Sequence, residues 1–473
     1  MKPVALSRIA QWTGGRLVGA HDDANDAGHD VLIDAIATDT RTLDASDGQA
    51  ALFVALKGER FDAHAHVADA VDAGVRAVLV AHLVEVAVPQ VVVADTERAL
   101  AAFAAALQHT RNGKVVAITG SNGKTSVKAL LLSILQRAAA IDGGVAYANP
   151  GNRNNEIGLP LAVLDAPEDA RYAIYEMGAG KPGDIAYLTA IARPDVALVN
   201  NVAPAHLERM GSLLGVADTK GAIYDALPSG GVAVINADDA FAPYFAERAH
   251  GRRLIRFGLE ATADISARAL VADGDGTQFT LVTPEGECEI ALALPGRHNV
   301  LNALAAASLA LGVGASLATI REGLEAARSV AGRLVTHRLG NGAILIDDSY
   351  NANPGSLNAA IDTLAAAGGS NWLVLGDMRE LGVDAQALHA EAGRRAKAAG
   401  IARLFTLGPL SAAAAEAFGA GAQHFDSHEA LADALGDALT SDVRVLIKGS
   451  RGSAMDKVVR ALLPPTGDAT HAA

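Results

Sequence analysis

One short segment contains two glycines, a lysine and a threonine, which are residue types suited to binding the phosphates of a nucleotide. It follows the β-branched run over residues 115–119 and consists of Gly120, Ser121, Asn122, Gly123, Lys124, Thr125 and Ser126. Glycines let successive backbone N–H groups point at an anion, while Lys124 can reach terminal phosphates and the Thr125 hydroxyl can ligate Mg²⁺. A full Walker A pattern would place glycine at Ile118, so the motif is a shortened one. Its strand and helix flanks predict a nucleotide phosphate site.

Three polar residues further along the chain could complete such a site. Glu176 ends an apolar run, and the ends of strands are where α/β proteins bind ligands. Its carboxylate could ligate Mg²⁺ or, alternatively, form a structural ion pair. His206 lies past the next apolar run, and Lys220 falls on a helix predicted over residues 215–227. A lone lysine on a helix is usually solvated, so residue type alone gives these last two no role.

The elements that must position these residues alternate along nearly the whole chain. Short apolar runs are separated by alanine-rich stretches, which predicts an α/β fold of parallel sheets covered by helices. A length of 473 residues corresponds to about three domains. The runs group into a small N-terminal α/β domain over 1–95, a central parallel-sheet domain over 96–331 and a C-terminal, Rossmann-like domain over 332–473. Within the central domain, residues 254–294 have the pattern of hairpins.

Composition excludes several classes of protein. Half of the residues are hydrophobic and 19% are charged, which is typical of a folded protein and not of a disordered chain. The net charge of −14 has the wrong sign for non-specific nucleic-acid binding. The apolar runs are too short to span a membrane and no signal peptide is apparent, so we expect a cytoplasmic protein, which we take to be a monomer. Cys288 is the single cysteine and is expected to lie half-buried on a strand, so disulfide frameworks are excluded.

A second glycine motif is weaker. Residues 178–183 fit the pattern G-x-G-x-x-G and also follow an apolar run. A dinucleotide site would need an acidic residue after the next strand to hold a ribose, and that strand is followed by Val199, Asn200 and Asn201. The sequence therefore disfavours a dehydrogenase.

Several motifs occur in the order seen in the Mur ligases, the ATP-dependent amide ligases of peptidoglycan precursor synthesis. One set comprises the phosphate segment and residues 175–179, 200–208, 236–239, 296–302 and 347–354. A second set resembles the family members that join D-alanyl-D-alanine to UDP-N-acetylmuramoyl-tripeptide, and it comprises residues 39–41, 52–58, 61–64, 375–382 and 448–451. Together the two sets cover essentially the whole chain. The ordered series of motifs is specific for this family, whereas no single motif would be sufficient.

The resemblance implies an enzyme with ATP and Mg²⁺ as cofactors. Its N-terminal domain would grip the UDP-sugar, its central domain would bind ATP, and its C-terminal domain would close over ATP and the incoming dipeptide. ATP would phosphorylate the terminal carboxylate of the tripeptide. The dipeptide amine would then attack the acyl phosphate, and ADP and phosphate would leave.

The resemblance also implies roles for individual residues. The catalytic group is Lys124, Glu176, His206 and Lys220. The metal ligands are Thr125, Glu176, His206 and Lys220, the last as an N-carbamylated lysine. The residues that bind the nucleotide, besides the phosphate segment, are Asn299, Arg333 and Asp348. The residues that bind the other substrates are Thr40, Arg41, Lys57, Asn154, Asn155, Tyr350, Asn353, Lys448 and Ser450.

Some of these residues have a structural alternative. Asn299 could be a helix N-cap, and Asn353, which precedes a proline, is predicted to be one. Arg333 could be a surface arginine of a linker. Arg297 and His298 are expected to flank the nucleotide.

Two other functions remain open at this point. The first is a different ligase of the same superfamily, either an earlier peptide-adding Mur ligase or folylpolyglutamate synthase. The N-terminal segment that resembles a UDP-sugar domain disfavours the folate enzyme. The second is a nucleotide-gated regulator without ligase chemistry, which would have no need for Glu176, His206 and Lys220 together.

Overall fold

The computed structural model describes residues 1–19, 30–43, 48–58, 61–204, 207–273 and 276–463. The N-terminal part is built around a five-stranded sheet of order β2-β7-β6-β5-β4, in which β4 to β7 are parallel and β2 is an antiparallel edge, while β1 pairs with β3. All residues of β5 and β6 are buried, as in parallel strands covered on both faces. Its elements are β1 (Val4–Ala5), α1 (Leu6–Thr13), β2 (Arg16–Val18), β3 (Leu32–Ile33), β4 (Ala35–Ala37), β5 (Ala51–Val54), α2 (Val67–Asp72), β6 (Ala77–Val80) and β7 (Gln90–Val92).

The central part contains a six-stranded, wholly parallel sheet of order β13-β12-β11-β8-β10-β9. Strands β9 and β10 lie on one side of β8, and β11, β12 and β13 lie on the other. The strand order therefore reverses at β8, and the carboxyl ends of β8, β10 and β11 form the kind of switch point where α/β sheets bind ligands. The elements are α3 (Thr96–Gln108), β8 (Lys114–Thr119), α4 (Lys124–Asp142), β9 (Val145–Ala148), α5 (Gly158–Asp165), β10 (Ala170–Glu176), α6 (Asp184–Ala192), β11 (Val196–Val199), α7 (Leu207–Met210), α8 (Leu213–Asp225), β12 (Val232–Asn236), α9 (Ala242–Arg248), β13 (Arg253–Phe257), β14 (Ser266–Asp273), β15 (Gly276–Thr283), β16 (Gly286–Leu292), α10 (Arg297–Gly312) and α11 (Leu317–Ala326).

The predicted hairpins are confirmed as the antiparallel sheet β14-β15-β16. Residues 274 and 275 of the first turn lie outside the described residues. Cys288 is half-buried on β16, as expected.

The C-terminal part is a second doubly wound sheet, of order β17-β18-β22-β19-β20-β21, with β17 as its antiparallel edge. Its elements are β17 (Val335–Arg338), β18 (Ile344–Asp348), α12 (Pro354–Ala366), β19 (Ser370–Gly376), α13 (Ala385–Ala398), β20 (Arg403–Leu407), α14 (Ala412–Phe418), β21 (Ala422–Phe425), α15 (His428–Ala438), β22 (Val443–Lys448) and α16 (Asp456–Leu462). The predicted α/β class is confirmed. No helix in the part of the chain that the structure describes is long and apolar enough to cross a membrane.

Capping side chains set one helix start differently from the sequence pattern. Helix α8 begins at Leu213, two residues before the predicted start, because the Ser212 hydroxyl accepts a hydrogen bond from the backbone N–H of Gly215 (3.1 Å). The helix ends at Asp225 rather than at residue 227. The shift leaves Lys220 in the middle of the helix.

A buried histidine makes the C-terminal part sensitive to acid. His389 is fully buried on α13, where its Nε2 accepts a hydrogen bond from Met378 N (2.9 Å) and its Nδ1 donates one to Ala385 O (2.6 Å). This bonding requires the neutral ring, and burial lowers the pKa of His389 below its ordinary value. The unfolded chain therefore takes up a proton near pH 6.5 that the folded chain does not, and stability falls as the pH drops through this value.

We expect this histidine to contribute to the pH dependence of the free energy of unfolding. The contribution is about 1.4 kcal/mol for each pH unit below about 6.5, until the lower pKa of the folded state is reached. Urea unfolding at pH 7.5 and pH 5.5 measures it, with His389→Gln as the variant and His66→Gln, at an exposed histidine, as the control. Equal pH dependence in the wild type and His389→Gln would contradict the assignment.

Candidate active site

A cavity of about 740 Å³ lies at the carboxyl ends of the central and C-terminal sheets and takes its walls from both. All seven residues of the phosphate segment line it. The other predicted site residues that line it are Asn154, Asn155, Glu176, Lys220, Asn299, Arg333, Asp348, Tyr350, Asn353 and Lys448. The structure thus brings together residues that are distant in sequence and were assigned to two different domains.

The phosphate segment forms a tight turn between β8 and α4. Gly123 has φ +79°, and a Cβ there would lie 2.4 Å from Asn302 Oδ1 and 2.5 Å from Asn200 Nδ2. Only glycine fits such a position without displacing these side chains. Lys124 is the first residue of α4, and its Nζ donates a hydrogen bond to Gly120 O (2.7 Å). Its ammonium therefore lies over the turn whose N–H groups would hold a phosphate.

Glu176 ends β10 beside this turn and is 3% exposed. Its Oε1 accepts a hydrogen bond from Asn154 Nδ2 (2.9 Å), whereas its Oε2 accepts none from the described residues. Lys128 Nζ lies 3.3 Å from Oε2 as an ion pair. Burial opposes ionisation, but the neighbouring ammonium groups of Lys124 and Lys128 leave the pKa of Glu176 below its ordinary value. Glu176 is therefore a carboxylate whose Oε2 forms an ion pair with Lys128 but accepts no hydrogen bond from the described residues.

Lys220 faces the cavity from α8 and is only 2% exposed. It forms no hydrogen bond or ion pair with any residue that the structure describes. Burial, with a contribution from Lys124, lowers the pKa of Lys220 to about 7, so a large fraction of the amine is neutral near pH 7. His206 lies outside the described residues. Among the described residues there is no cluster of three or more His, Cys, Asp or Glu side chains that could hold a metal.

The C-terminal part contributes cationic side chains to the cavity. Arg333 donates a hydrogen bond to Thr125 Oγ1 (3.2 Å), and its guanidinium lies 4.5 Å from the centre of the Tyr350 ring. Arg333 is therefore not a surface arginine of the linker. Lys448 donates to Asp348 Oδ2 (2.5 Å), and burial raises the pKa of that carboxyl despite its ammonium partner.

Asn353 connects the two parts directly. It caps helix α12 with Pro354 at the first helical position and forms a capping box with Ser356, so the N-cap prediction is confirmed. Its Nδ2 also donates to Oδ1 of Asn122 in the phosphate segment (2.7 Å). The same side chain therefore starts a C-terminal helix and contacts the central domain.

One alternative from the sequence, Asn299 as a helix N-cap, is wrong, and two expected site residues, Arg297 and Ser450, lie outside the cavity lining. The N-cap of α10 is Gly296, whereas Asn299 lies inside the helix and donates to Pro295 O (2.8 Å). Arg297 pairs with Glu260 on the surface and does not line the cavity, although His298 does. Ser450 is outside the lining because its hydroxyl donates to Asp377 O (2.6 Å). A motif fixes the position of a residue along the chain but not the direction of its side chain.

The N-terminal candidates lie outside this cavity. Thr40 and Arg41 follow β4 and Lys57 follows β5, so all three lie past the carboxyl ends of parallel strands. Arg41 pairs with Asp39 (2.6 Å), and Lys57 lies 3.6 Å from Asp62 Oδ2. Both pairs are solvent-exposed and therefore weak, so a ligand anion could replace either carboxylate at little cost.

Sequence reasoning missed Lys128 and Asn149. Lys128 lies one helical turn after Lys124, so the two lysines share one face of α4, and this spacing was the available signal. Asn149 accepts a hydrogen bond from Glu176 N through Oδ1 (2.9 Å) and donates to Glu176 O through Nδ2 (3.1 Å). Its partner could not be read from the sequence because the two residues belong to different elements.

Two family models match the chain: the Mur ligase middle domain over residues 118–310, and the Mur ligase, glutamate ligase domain over residues 332–451. The UDP-N-acetylmuramoyl-tripeptide--D-alanyl-D-alanine ligase of Escherichia coli K12 is 43% identical over 98% of this chain and 99% of its own. The chain belongs to the Mur ligase family. This Mur ligase also resembles solved structures along nearly its whole length. MurF from Acinetobacter baumannii superposes with a TM-score of 0.89 at 32% identity, covering 98% of this chain and 99% of that one. MurF ligase from Thermotoga maritima in complex with ADP gives 0.80 at 26% identity, covering 90% and 96%.

Proposed function

We propose that this chain is an ATP-dependent ligase that joins D-alanyl-D-alanine to UDP-N-acetylmuramoyl-tripeptide. The observation that carries the proposal is one cavity that places Lys124 beside the Glu176 carboxylate and opposite the cationic side chains of Arg333 and Lys448. Phosphorylation of a carboxylate by ATP brings two anions together, and such a concentration of cationic groups lowers its cost. The 43% identity to a ligase of this name over nearly the whole chain supports the same substrates.

We assign the substrates to the three domains as follows. Residues 1–95 hold the UDP-sugar through Thr40, Arg41 and Lys57, and residues 96–331 hold ATP. Residues 332–473 contact ATP and the dipeptide from the other side. We place the reaction in the cytoplasm and expect a monomer.

The described residues suggest how the first step proceeds. The backbone N–H groups of the phosphate segment and the Lys124 ammonium bind the β- and γ-phosphates, and Asn299 and Asp348 hold the nucleoside. The tripeptide carboxylate, positioned by Asn154 and Asn155, attacks the γ-phosphorus. The bond from phosphorus to the β-phosphate oxygen breaks, which yields an acyl phosphate and ADP. Arg333 neutralises charge on the transferring group from the C-terminal side.

In the second step the dipeptide amine, in its neutral form, attacks the acyl carbon. The tetrahedral intermediate expels inorganic phosphate, and the amine nitrogen loses a proton as the amide forms. Tyr350, Asn353 and Lys448 line the cavity, and we propose that they contact the dipeptide. The Ser450 hydroxyl is held by Asp377 O and would contribute only after releasing that bond.

The donor atoms at the phosphate segment fit Mg²⁺. The Thr125 hydroxyl and Oε2 of Glu176, which accepts no hydrogen bond from the described residues, are hard oxygen ligands, which this ion prefers. We propose both as ligands, together with His206. Mg²⁺, when bound, would neutralise charge on the transferring phosphate.

We also propose that Lys220 is N-carbamylated. Its amine is buried, faces the cavity and has no partner among the described residues, so it is exposed to CO₂ from the cavity side. Attack of the neutral amine on CO₂, with loss of a proton, converts a cation into a carboxylate-like group. The carbamate would supply a second anionic metal ligand beside Glu176.

Substrate-dependent release of phosphate tests the proposed function. We expect purified protein to release phosphate from ATP only when UDP-N-acetylmuramoyl-tripeptide and D-alanyl-D-alanine are both present, with one phosphate formed per amide. Turnover stimulated by folate, or by a free amino acid with a shorter muramoyl peptide, would favour another ligase of the superfamily. ATP binding without turnover under any of these conditions would favour a regulator.

A further inference from the structure

Lys128 is a buried cation to which the reaction outlined above gives no role. It lies on α4, the helix that begins at the phosphate segment, and only 9% of its side chain is exposed. Its Nζ donates to Asn149 O (2.8 Å) and to Gly151 O (3.1 Å) and lies 3.3 Å from Glu176 Oε2. Two of the three donors of the ammonium are therefore used in hydrogen bonds, and its charge is paired with the Glu176 carboxylate.

These three oxygen atoms belong to two features of the cavity wall. Two of them are backbone carbonyls of the segment 149–155, which lines the cavity through Asn152, Asn154 and Asn155. The third is the Glu176 oxygen that accepts no hydrogen bond from the described residues. Lys128 therefore joins the phosphate-binding helix to this segment and to the carboxylate that ends β10.

The segment 149–155 is attached to β10 at further points. Asn149 bonds the backbone N–H and C=O of Glu176, and Asn154 Nδ2 bonds Glu176 Oε1 (2.9 Å). Asn154 O accepts a hydrogen bond from Gly178 N (2.8 Å). The asparagine contacts join the segment to β10, whereas the Lys128 contacts join it to α4, the helix that carries Lys124.

We propose that Lys128 is a positioning residue, which holds the segment 149–155 and the Glu176 carboxylate in register with the phosphate segment. This inference rests on the proposed function for its ligand, since Asn154 and Asn155 are the residues assigned to the muramoyl-tripeptide. Without the ammonium, the buried carbonyl of Asn149 and the part-buried carbonyl of Gly151 lose a charged donor, and the Glu176 carboxylate loses an ion-pair partner, so the segment relaxes toward solvent. Lys128 thus acts on the tripeptide through the asparagines that it positions.

The variant Lys128→Met tests this role, because methionine keeps the length of the buried stem and removes the charge. Lys114→Met is the matched control, since Lys114 forms an exposed ion pair with Asp195 at the opposite end of the same sheet. We expect Lys128→Met to weaken binding of UDP-N-acetylmuramoyl-tripeptide at least ~10-fold by calorimetry. Binding of ADP without Mg²⁺ should change less than ~3-fold, because Lys124 and the phosphate segment are intact.

Hydrogen exchange measured by mass spectrometry gives a readout that does not depend on substrate. In Lys128→Met we expect faster exchange confined to residues 149–155, with β8 and α4 unchanged. Equal exchange in that segment and unchanged tripeptide affinity would overturn the proposal, as would faster exchange spread over the whole sheet. If Lys128→Met does not fold, Lys128→Gln retains an amide donor and should show the same pattern to a smaller extent.

A double-mutant cycle with Asn154→Ala separates positioning from a general loss of stability. Both residues act on Glu176 and the same segment, so the losses in tripeptide affinity should be less than multiplicative. Multiplicative losses would overturn the proposal. If the wild-type protein fails to bind the tripeptide, the proposed function fails, while the exchange experiment still decides the role of Lys128.

Discussion

Lys124→Ala is expected to lower kcat/KM for ATP at least ~10²-fold while leaving affinity for the UDP-sugar substrate within a few-fold of the wild type. The ammonium lies over the phosphate turn, where it would neutralise charge that grows during phosphoryl transfer. The candidate uridine and diphosphate contacts, Thr40, Arg41 and Lys57, lie outside this cavity. Initial rates of phosphate release and calorimetry with UDP-N-acetylmuramoyl-tripeptide measure the two effects.

Lys114→Ala is the control, since it removes an exposed lysine from the far end of the strand that leads into the phosphate turn. It should retain wild-type rates. Loss of UDP-sugar affinity in Lys124→Ala would contradict the division of binding between the N-terminal and central domains. A loss of activity smaller than ~10-fold would contradict the assignment of Lys124 to the phosphates.

Lys220→Arg is expected to be as inactive as Lys220→Ala, each at least ~10²-fold below the wild type. Arginine keeps the positive charge but does not form a carbamate, so the pair of variants separates the two possible roles of this side chain. Short carboxylates such as acetate should restore some activity to Lys220→Ala, since the cavity that remains can hold them as replacement ligands. Removing CO₂ from the buffer should slow the wild type reversibly.

A substitution at Lys114, which lies far from the cavity, is the control for this experiment. Lys114→Arg retains Lys220, so removal of CO₂ should slow it to the same extent as the wild type, and acetate should give it no gain in activity. Near-normal turnover of Lys220→Arg would refute the carbamate. An unmodified amine in the mass spectrum of tryptic peptides would not refute it, because carbamates are lost in acid. Electron density from crystals grown at neutral pH is therefore the decisive observation.

Features encoded locally were predictable from the sequence. The phosphate segment is one contiguous turn between a strand and a helix, so its glycines and Lys124 could be placed from spacing alone. Glu176 followed from its position at the end of an apolar strand, because strand ends define the ligand edge of a parallel sheet. Asn353 followed from the proline after it.

Features that depend on side-chain direction were not predictable. Arg297 and His298 are neighbours in sequence, yet only His298 lines the cavity, because the start of a helix sends successive side chains in different directions. Ser450 was assigned to substrate, but the nearby Asp377 carbonyl takes its hydroxyl. Lys128 was missed because its partners on the segment 149–155 and on β10 come together only when the sheet forms.

A cavity whose walls come from two sheets also determines how the protein unfolds. Two hydrogen bonds cross the cleft, one from Arg333 to Thr125 and one from Asn353 to Asn122. Each contributes only about 1 kcal/mol to the free energy of unfolding. Such contacts leave the two domains nearly independent as cooperative units. A nucleotide binds in the cleft only when both walls are folded, so unfolding of either domain also costs the free energy of nucleotide binding. Saturation with ligand should therefore merge separate calorimetric transitions of the central and C-terminal domains into one.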